Sequence, residues 1–137
     1  MALIHLDAGV LIGFLDADDA HHPGSRAVVE EALRSNDRLA MAASAFAECL
    51  VGPARRGDRA VGIVSALRER LPIEIVAVDL TTAVTAARLS ARHRVLRLPD
   101  ALVLATASEA HADRLVTTDR RWPPPSELGL PLLVETL

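Results

Sequence analysis

Short apolar segments alternate with longer amphipathic ones along the whole chain. Residues 3–6, 39–42, 73–78, 115–117 and 132–135 are predicted as strands, because each is a brief run of β-branched and other apolar residues. The segments between them repeat their apolar positions with helical spacing. This alternation predicts one α/β domain over residues 1–137, with three α/β/α layers and a mainly parallel central sheet of about five short strands.

The helix boundaries follow from residues that start or stop helices. The first helix is predicted over 10–16, and Ser44 is predicted to cap a later helix that ends at Gly52 and Pro53. In the segment from residue 80, positions 80, 84, 87 and 91 are apolar and predict the buried face.

Composition narrows the chemistry. The fifteen basic residues are all Arg, so lysine-dependent phosphate loops and Schiff bases are excluded. The mean hydropathy of +0.26 is high for a small domain and favours an oligomer. No apolar run has the roughly 18 residues that a membrane helix needs. A single cysteine and an N-terminus without a basic start favour the cytoplasm.

Four acidic residues stand at the ends of apolar elements. Asp7 follows the first strand, Glu48 follows ASAFA, Asp100 follows LRLP, and Asp119 follows LVTT. In a parallel α/β sheet the ligand site lies outside the carboxyl ends of the strands, so these acids are expected at one edge. Any one of them alone is also explained as a carboxylate in the first turn of a helix.

Four carboxylates in one cleft would repel each other and raise their own pKa values. The chain has no lysine to neutralise them. Mg²⁺, or alternatively Mn²⁺, would relieve the repulsion, because these hard cations take carboxylate oxygens and keep water ligands for a phosphate. The set therefore predicts metal-assisted hydrolysis of a phosphodiester.

These residues resemble the four acidic positions of the PIN domain family, and in particular of VapC-type toxins. The resemblance extends over nearly the whole chain, through SAFAE, RLPDALVLATA and LVTTDRRW. It implies a magnesium-dependent endoribonuclease that is usually dimeric and is inhibited by a cognate antitoxin. Carried over by position, Asp7 and Asp100 would be the principal metal ligands. Glu48 would be a further ligand or base, and Asp119 a water-mediated or second-metal ligand, with the Thr117 hydroxyl nearby.

One position departs from the pattern. Many of these toxins have Ser or Thr two residues after the first Asp, where this chain has Gly9. Two alternatives remain for the function. A PIN-fold binding module with little turnover would keep the fold without the chemistry. The other alternative is a magnesium-dependent phosphatase of the aspartyl-phosphate type. It would need a second Asp at position 9 and a Lys, and this chain has neither.

Other polar residues have simpler explanations. A solvated loop, rather than a second metal site, is predicted for Asp18, Asp19, His21 and His22. His5 is predicted to be a hydrogen-bonded histidine on the first strand. Cys49 is read as a small buried residue and Trp122 as a loop plug. Arg92 and Arg94 lie in the densest basic group, for which RNA contact and a solvated surface are equally good readings.

Overall fold

In a computed structural model that describes residues 1–137, five parallel strands form one sheet in the order β3-β2-β1-β4-β5. The strands are β1 Leu3–Leu6, β2 Arg38–Ala42, β3 Ile73–Val76, β4 Arg114–Thr117 and β5 Leu133–Thr136. The helices are α1 Ala8–Leu15, α2 His22–Arg34, α3 Ala43–Arg56, α4 Asp58–Arg70, α5 Leu80–Arg92, α6 Leu98–Glu109 and α7 Pro125–Leu128. The predicted α/β/α architecture with a parallel sheet is confirmed.

The first strand lies in the centre of the sheet. Ile4 of β1 aligns with Leu39 of β2 on one side and with Arg114 of β4 on the other. Leu6, Met41 and Leu115 are fully buried, so the core lies against the sheet. No helix is long and apolar enough to cross a membrane. Because all strands are parallel, their carboxyl ends meet at one edge, which we call the carboxyl edge.

Two predictions about the third helix, its start and its end, were wrong. The third helix starts at Ala43 with Ala42 as its cap, and Ser44 lies inside it with its hydroxyl buried and unpartnered. It also continues through Pro53 to Arg56. A glycine before the proline reduces the clash that normally ends a helix there. The chain then turns at Gly57, whose φ of 115° favours glycine.

The buried face of α5 also differs from the prediction. Leu80 and Val84 are exposed, whereas Thr82, Ala86 and Leu89 are buried. Both sets have helical spacing, so the pattern alone did not distinguish them. The small side chain of Ala86 allows α5 to pack closely on α6, and this packing decides the face.

Candidate active site

Asp7 is fixed where β1 passes into α1. It caps the helix with extended backbone angles, and its Oδ1 accepts a hydrogen bond of 2.8 Å from the Ala8 N–H. Its backbone N–H donates to the Val116 carbonyl at 2.9 Å, which ties the residue to β4. Only 8% of Asp7 is exposed. The helix therefore begins at Ala8 rather than at residue 10, because the aspartate that ends the strand is itself the cap.

Thr117, the last residue of β4, connects two of the predicted acids. Its buried hydroxyl donates to Asp7 Oδ2 at 2.7 Å and accepts from the Asp119 N–H at 3.1 Å. One hydroxyl thus fixes the orientation of the Asp7 carboxylate and the start of the loop that carries Asp119. Thr117 therefore lies in direct contact with both acids.

The other two acids approach from helices. Asp100 lies in the first turn of α6 and is half-buried, whereas Glu48 lies in α3 and is exposed. Burial raises the pKa of Asp100 and the nearby charge of Asp119 raises it further. Burial also raises the pKa of Glu48, with added repulsion from Asp7 and Asp100. Acids from four separate elements therefore interact electrostatically at the carboxyl edge.

Asp7 experiences the same repulsion. Burial raises its pKa, the hydrogen bonds from Thr117 and Ala8 oppose the rise, and the charges of Asp100 and Asp119 add to it. The result is that Asp7, Glu48 and Asp100 all hold protons more tightly than isolated carboxylates do. We call these three residues the acid cluster.

Asp119 differs from the acid cluster because it has its own cation. Arg121 donates to it through Nε at 3.0 Å, through Nη2 at 2.8 Å and through its backbone N–H at 2.9 Å. These bonds lower the pKa of Asp119. The sequence placed the four acids together but did not reveal that one of them is already paired.

Trp122 affects the pKa of Asp100, which the sequence did not indicate. It is 9% exposed, as expected for a loop plug, and its indole N–H lies close enough to Asp100 to lower the pKa of that carboxyl against the effect of burial. The N–H nevertheless completes no hydrogen bond of good geometry. Twenty-two positions separate the two residues, so no local pattern would have revealed this contact.

The donor set fits a hard divalent cation. The acid cluster brings several carboxylate oxygens to one edge, and none of its members forms a salt bridge. As the side chains stand, no three Asp, Glu, His or Cys side chains come close enough to hold one ion together. Their mutual repulsion is what a divalent cation relieves when it draws carboxylates together.

The family of the chain follows from a comparison of its sequence with family profiles. The profile described as the PIN domain matches residues 4–125. The chain belongs to the PIN domain family. Nucleases of this family generally use divalent metal ions. A search of curated protein sequences gave no match.

Solved structures show the same fold at low sequence identity. A chain of VapBC2 from Rickettsia felis, bound to a DNA fragment from its promoter, gives a TM-score of 0.73 at 15% identity, covering 98% of both chains. VapC20 of Mycobacterium tuberculosis, a toxin that cleaves the sarcin-ricin loop, gives 0.69 at 18% identity, covering 93% of this chain and 95% of that one. FitAcB of Neisseria gonorrhoeae gives 0.67 at 18% identity, covering 95% and 96%.

The PIN domain fills the space at Gly9 with a hydroxyl from elsewhere. A Cβ at position 9 would fall onto the Thr118 side chain, with Oγ1 as its nearest atom. The Thr118 side chain, in the loop between β4 and Asp119, therefore occupies the space that a side chain at position 9 would need. The sequence could show that position 9 has no hydroxyl but not which side chain fills the space.

The remaining polar candidates of the PIN domain lie outside the acid cluster. The segment between α1 and α2 is held by local bonds, since Asp19 accepts from the His21 N–H and the ring of His22, which begins α2, contacts the Gly13 carbonyl of α1. Cys49 is buried, as predicted, and burial raises its pKa to about 12. His5 is in the core, but the prediction that it is hydrogen-bonded was wrong. Both ring nitrogens are unpartnered, and burial lowers its pKa to about 4, so the ring is neutral near pH 7.

The basic residues predicted to contact RNA lie at the start of the segment that leads to Asp100. Arg92 ends α5 and Arg94 follows it, and neither is in a salt bridge. Arg97, immediately before α6, lowers the pKa of Asp100 through its charge. Arg97 therefore places positive charge next to Asp100, on the segment that joins Arg92 and Arg94 to α6.

An open groove of about 510 Å³ lies among α1, α3 and α4. Its apolar lining includes Ile12, Leu15 and Ile63, all of them exposed. Glu48 of the acid cluster also lines it. The groove thus leads from an apolar surface directly to the candidate active site.

Proposed function

We propose that this PIN domain is a magnesium-dependent endoribonuclease and the toxin of a toxin-antitoxin pair. The observation that carries the proposal is the acid cluster, whose three carboxylates repel each other at the carboxyl edge without a salt bridge. The family match and the VapBC structures with the same fold support it. Mn²⁺ would serve in place of Mg²⁺, because both prefer carboxylate oxygens.

Each acid has a distinct part in this proposal. Asp7 and Asp100 are the principal metal ligands, and Thr117 holds the Asp7 carboxylate in one orientation. Glu48 serves as a further ligand or as a base, and its raised pKa strengthens it as a proton acceptor. Asp119 contributes through water, since its oxygens already accept from Arg121. A bound ion would lower the pKa of a water ligand and stabilise charge on the phosphate.

The partners follow from the surfaces around the acid cluster. RNA is the substrate, and Arg92 and Arg94 are proposed to contact its backbone. The apolar groove fits an antitoxin segment that carries apolar side chains and a basic one, because Glu48 of the acid cluster lines the groove beside its apolar residues. Two copies of the toxin are proposed to form a homodimer, as the high mean hydropathy favours.

The test is cleavage of purified total RNA in Mg²⁺, compared with cleavage in EDTA. Asp7→Asn and Asp100→Asn should each reduce the rate more than about 100-fold, since each removes a charged metal ligand. Asp18→Asn is the matched control, because Asp18 is exposed and its side chain makes no hydrogen bond or salt bridge. The fluorescence of Trp122, the only tryptophan in a chain without tyrosine, should report metal binding beside Asp100.

Two outcomes would contradict the proposal. Equal cleavage by the wild type and both variants would remove the acid cluster from the chemistry. Absence of cleavage by the wild type over a broad set of RNAs, together with tight binding of a protein partner, would favour the binding module instead.

A further inference from the structure

Arg121 is anchored at one side and open at the other. Its Nε and Nη2 both donate to the Asp119 carboxylate, so the guanidinium lies side-on against it. The Asp119 side chain is 17% exposed, whereas that of Arg121 is 82% exposed. A guanidinium has five N–H donors, and this contact uses two of them. Three donors, including both on Nη1, therefore remain for another acceptor.

The free donors lie beside the acid cluster. The charge of Asp100 raises the pKa of Arg121, after the larger effects of its bond and charge contact with Asp119, so the guanidinium is within electrostatic reach of both acids. It also lowers the pKa of Asp100. Arg121 is thus a cation placed next to the carboxylates that are proposed to hold the metal.

A phosphodiester that approaches this edge meets three carboxylates, and their charge repels it. A cation with a fixed orientation next to them offsets this repulsion and offers planar donors that match phosphate oxygens. An exposed arginine without an anchor would lose more side-chain entropy on binding. Asp119 provides that anchor, because the bonds to Nε and Nη2 fix the plane of the guanidinium.

We propose that Arg121, held in place by Asp119, binds a phosphate of the RNA backbone beside the acid cluster. Asp119 is then a positioning residue for a phosphate-binding arginine, in addition to any contact that it makes through water. The choice of RNA as the ligand depends on the function proposed above, but the phosphate-binding role does not require cleavage.

Binding without metal tests the role separately from the chemistry. A short fluorescein-labelled single-stranded RNA of mixed sequence is titrated with the full chain in EDTA, and fluorescence anisotropy gives the Kd. Arg121→Gln should raise the Kd about tenfold, as expected for a lost charge-assisted contact. The slope of the logarithm of the binding constant against the logarithm of the salt concentration should also become smaller in magnitude by about 0.7. This change corresponds to one phosphate contact on a single strand.

Arg120→Gln is the matched control. Arg120 is the neighbouring residue, is exposed and forms no salt bridge. Because it is also an arginine, its replacement by Gln makes the same change in net charge. It should raise the Kd no more than about twofold. Arg121→Lys should give a Kd between those of the wild type and Arg121→Gln, because lysine keeps the charge and lacks the planar donors. In an Asp119→Asn background the effect of Arg121→Gln should shrink, since the anchor is already gone.

The result that overturns the proposal is an equal rise in Kd, with equal salt slopes, for the Arg120 and Arg121 variants. That outcome would make the Arg121–Asp119 pair a surface ion pair with no part in binding. A change in melting temperature without a change in Kd would lead to the same conclusion. If Arg121→Gln weakens RNA binding while the wild type cleaves nothing in Mg²⁺, this inference holds and the proposed nuclease function fails.

Discussion

Aspartates flank the central strand at both of its ends, and their bonding differs. At the amino end, Asp37 accepts from the Ala2 N–H at 2.8 Å, and Asp113 accepts from the Leu3 N–H at 2.7 Å. These two residues directly precede β2 and β4, the neighbours of β1. At the carboxyl end, Asp7 faces other carboxylates, and their charges raise its pKa in addition to burial.

The difference separates a structural acid from one available for chemistry. At the amino end, each carboxylate accepts from a backbone N–H at or just before the start of β1, so it ties the central strand to its neighbour. At the carboxyl end, repulsion among buried or half-buried acids costs free energy unless a cation binds. Sites of this second kind are where perturbed pKa values and function coincide. The predictions below test whether the two ends differ in this way.

The largest expected effect on stability comes from Thr117. Replacing it with valine keeps the volume, but Asp7 Oδ2 loses its donor and the Asp119 N–H loses its acceptor. We expect the free energy of unfolding to fall by about 2–3 kcal/mol. We also expect a large loss of RNA cleavage, because the Asp7 carboxylate loses its orientation. Urea unfolding in EDTA gives the stability.

Thr106 provides the control for this change. It is equally buried, but its hydroxyl donates only to the Leu102 carbonyl within its own helix. Thr106→Val should therefore change stability by less than about 1 kcal/mol and leave cleavage intact. Similar losses from both variants would mean that the hydroxyl of Thr117 has no special relation to the acids.

The comparison between the two ends predicts stability changes of opposite sign. Without metal, Asp7→Asn should raise the melting temperature by about 3 °C, since it removes a buried charge that the other acids repel. Asp113→Asn should lower it by about 2 °C, because a neutral amide oxygen is a weaker acceptor than a carboxylate. Added Mg²⁺ should stabilise the wild type and the Asp113 variant, and have little effect on the Asp7 variant.

The gain from Asp7→Asn should depend on pH. Because the pKa of Asp7 is raised on folding, the folded state holds a proton that the unfolded state has lost, and wild-type stability falls as pH rises through the folded-state pKa. The gain should therefore shrink as the pH falls toward the ordinary Asp pKa of about 3.9 and vanish by about pH 3, where Asp7 is protonated in both states. His5, whose pKa is lowered to about 4, has the opposite effect below about pH 6.5. It is present in both proteins, so its contribution cancels in the difference. A gain that persists undiminished at pH 3 would contradict this account.

The sequence was sufficient for the sheet and for the position of the acids in it. Strand periodicity and the acids at the ends of apolar segments are local patterns, and parallel topology brings the strand ends together. The hydrogen-bond and ion-pair partners of the side chains could not be predicted from the sequence in the same way. The pairing of Asp119 with Arg121 requires a particular loop turn, and the approach of Trp122 to Asp100 joins residues far apart in sequence. The unpartnered nitrogens of His5 and the passage of α3 through Pro53 depend on surrounding packing, which no local pattern encodes.

The smallest expected effect concerns packing at the carboxyl edge, where Gly9 and Thr118 meet. Gly9→Ala should lower the free energy of unfolding by about 1 kcal/mol, because the new methyl group falls onto the Thr118 side chain and outweighs the helix propensity of alanine. Gly62→Ala in α4 places a methyl group in open space and should instead stabilise by up to about 1 kcal/mol. In a Thr118→Ala background the clash is removed, so Gly9→Ala should become neutral or stabilising. Thermal unfolding of the four proteins of this cycle measures the coupling, and additive effects would show that the two positions do not compete for the same space.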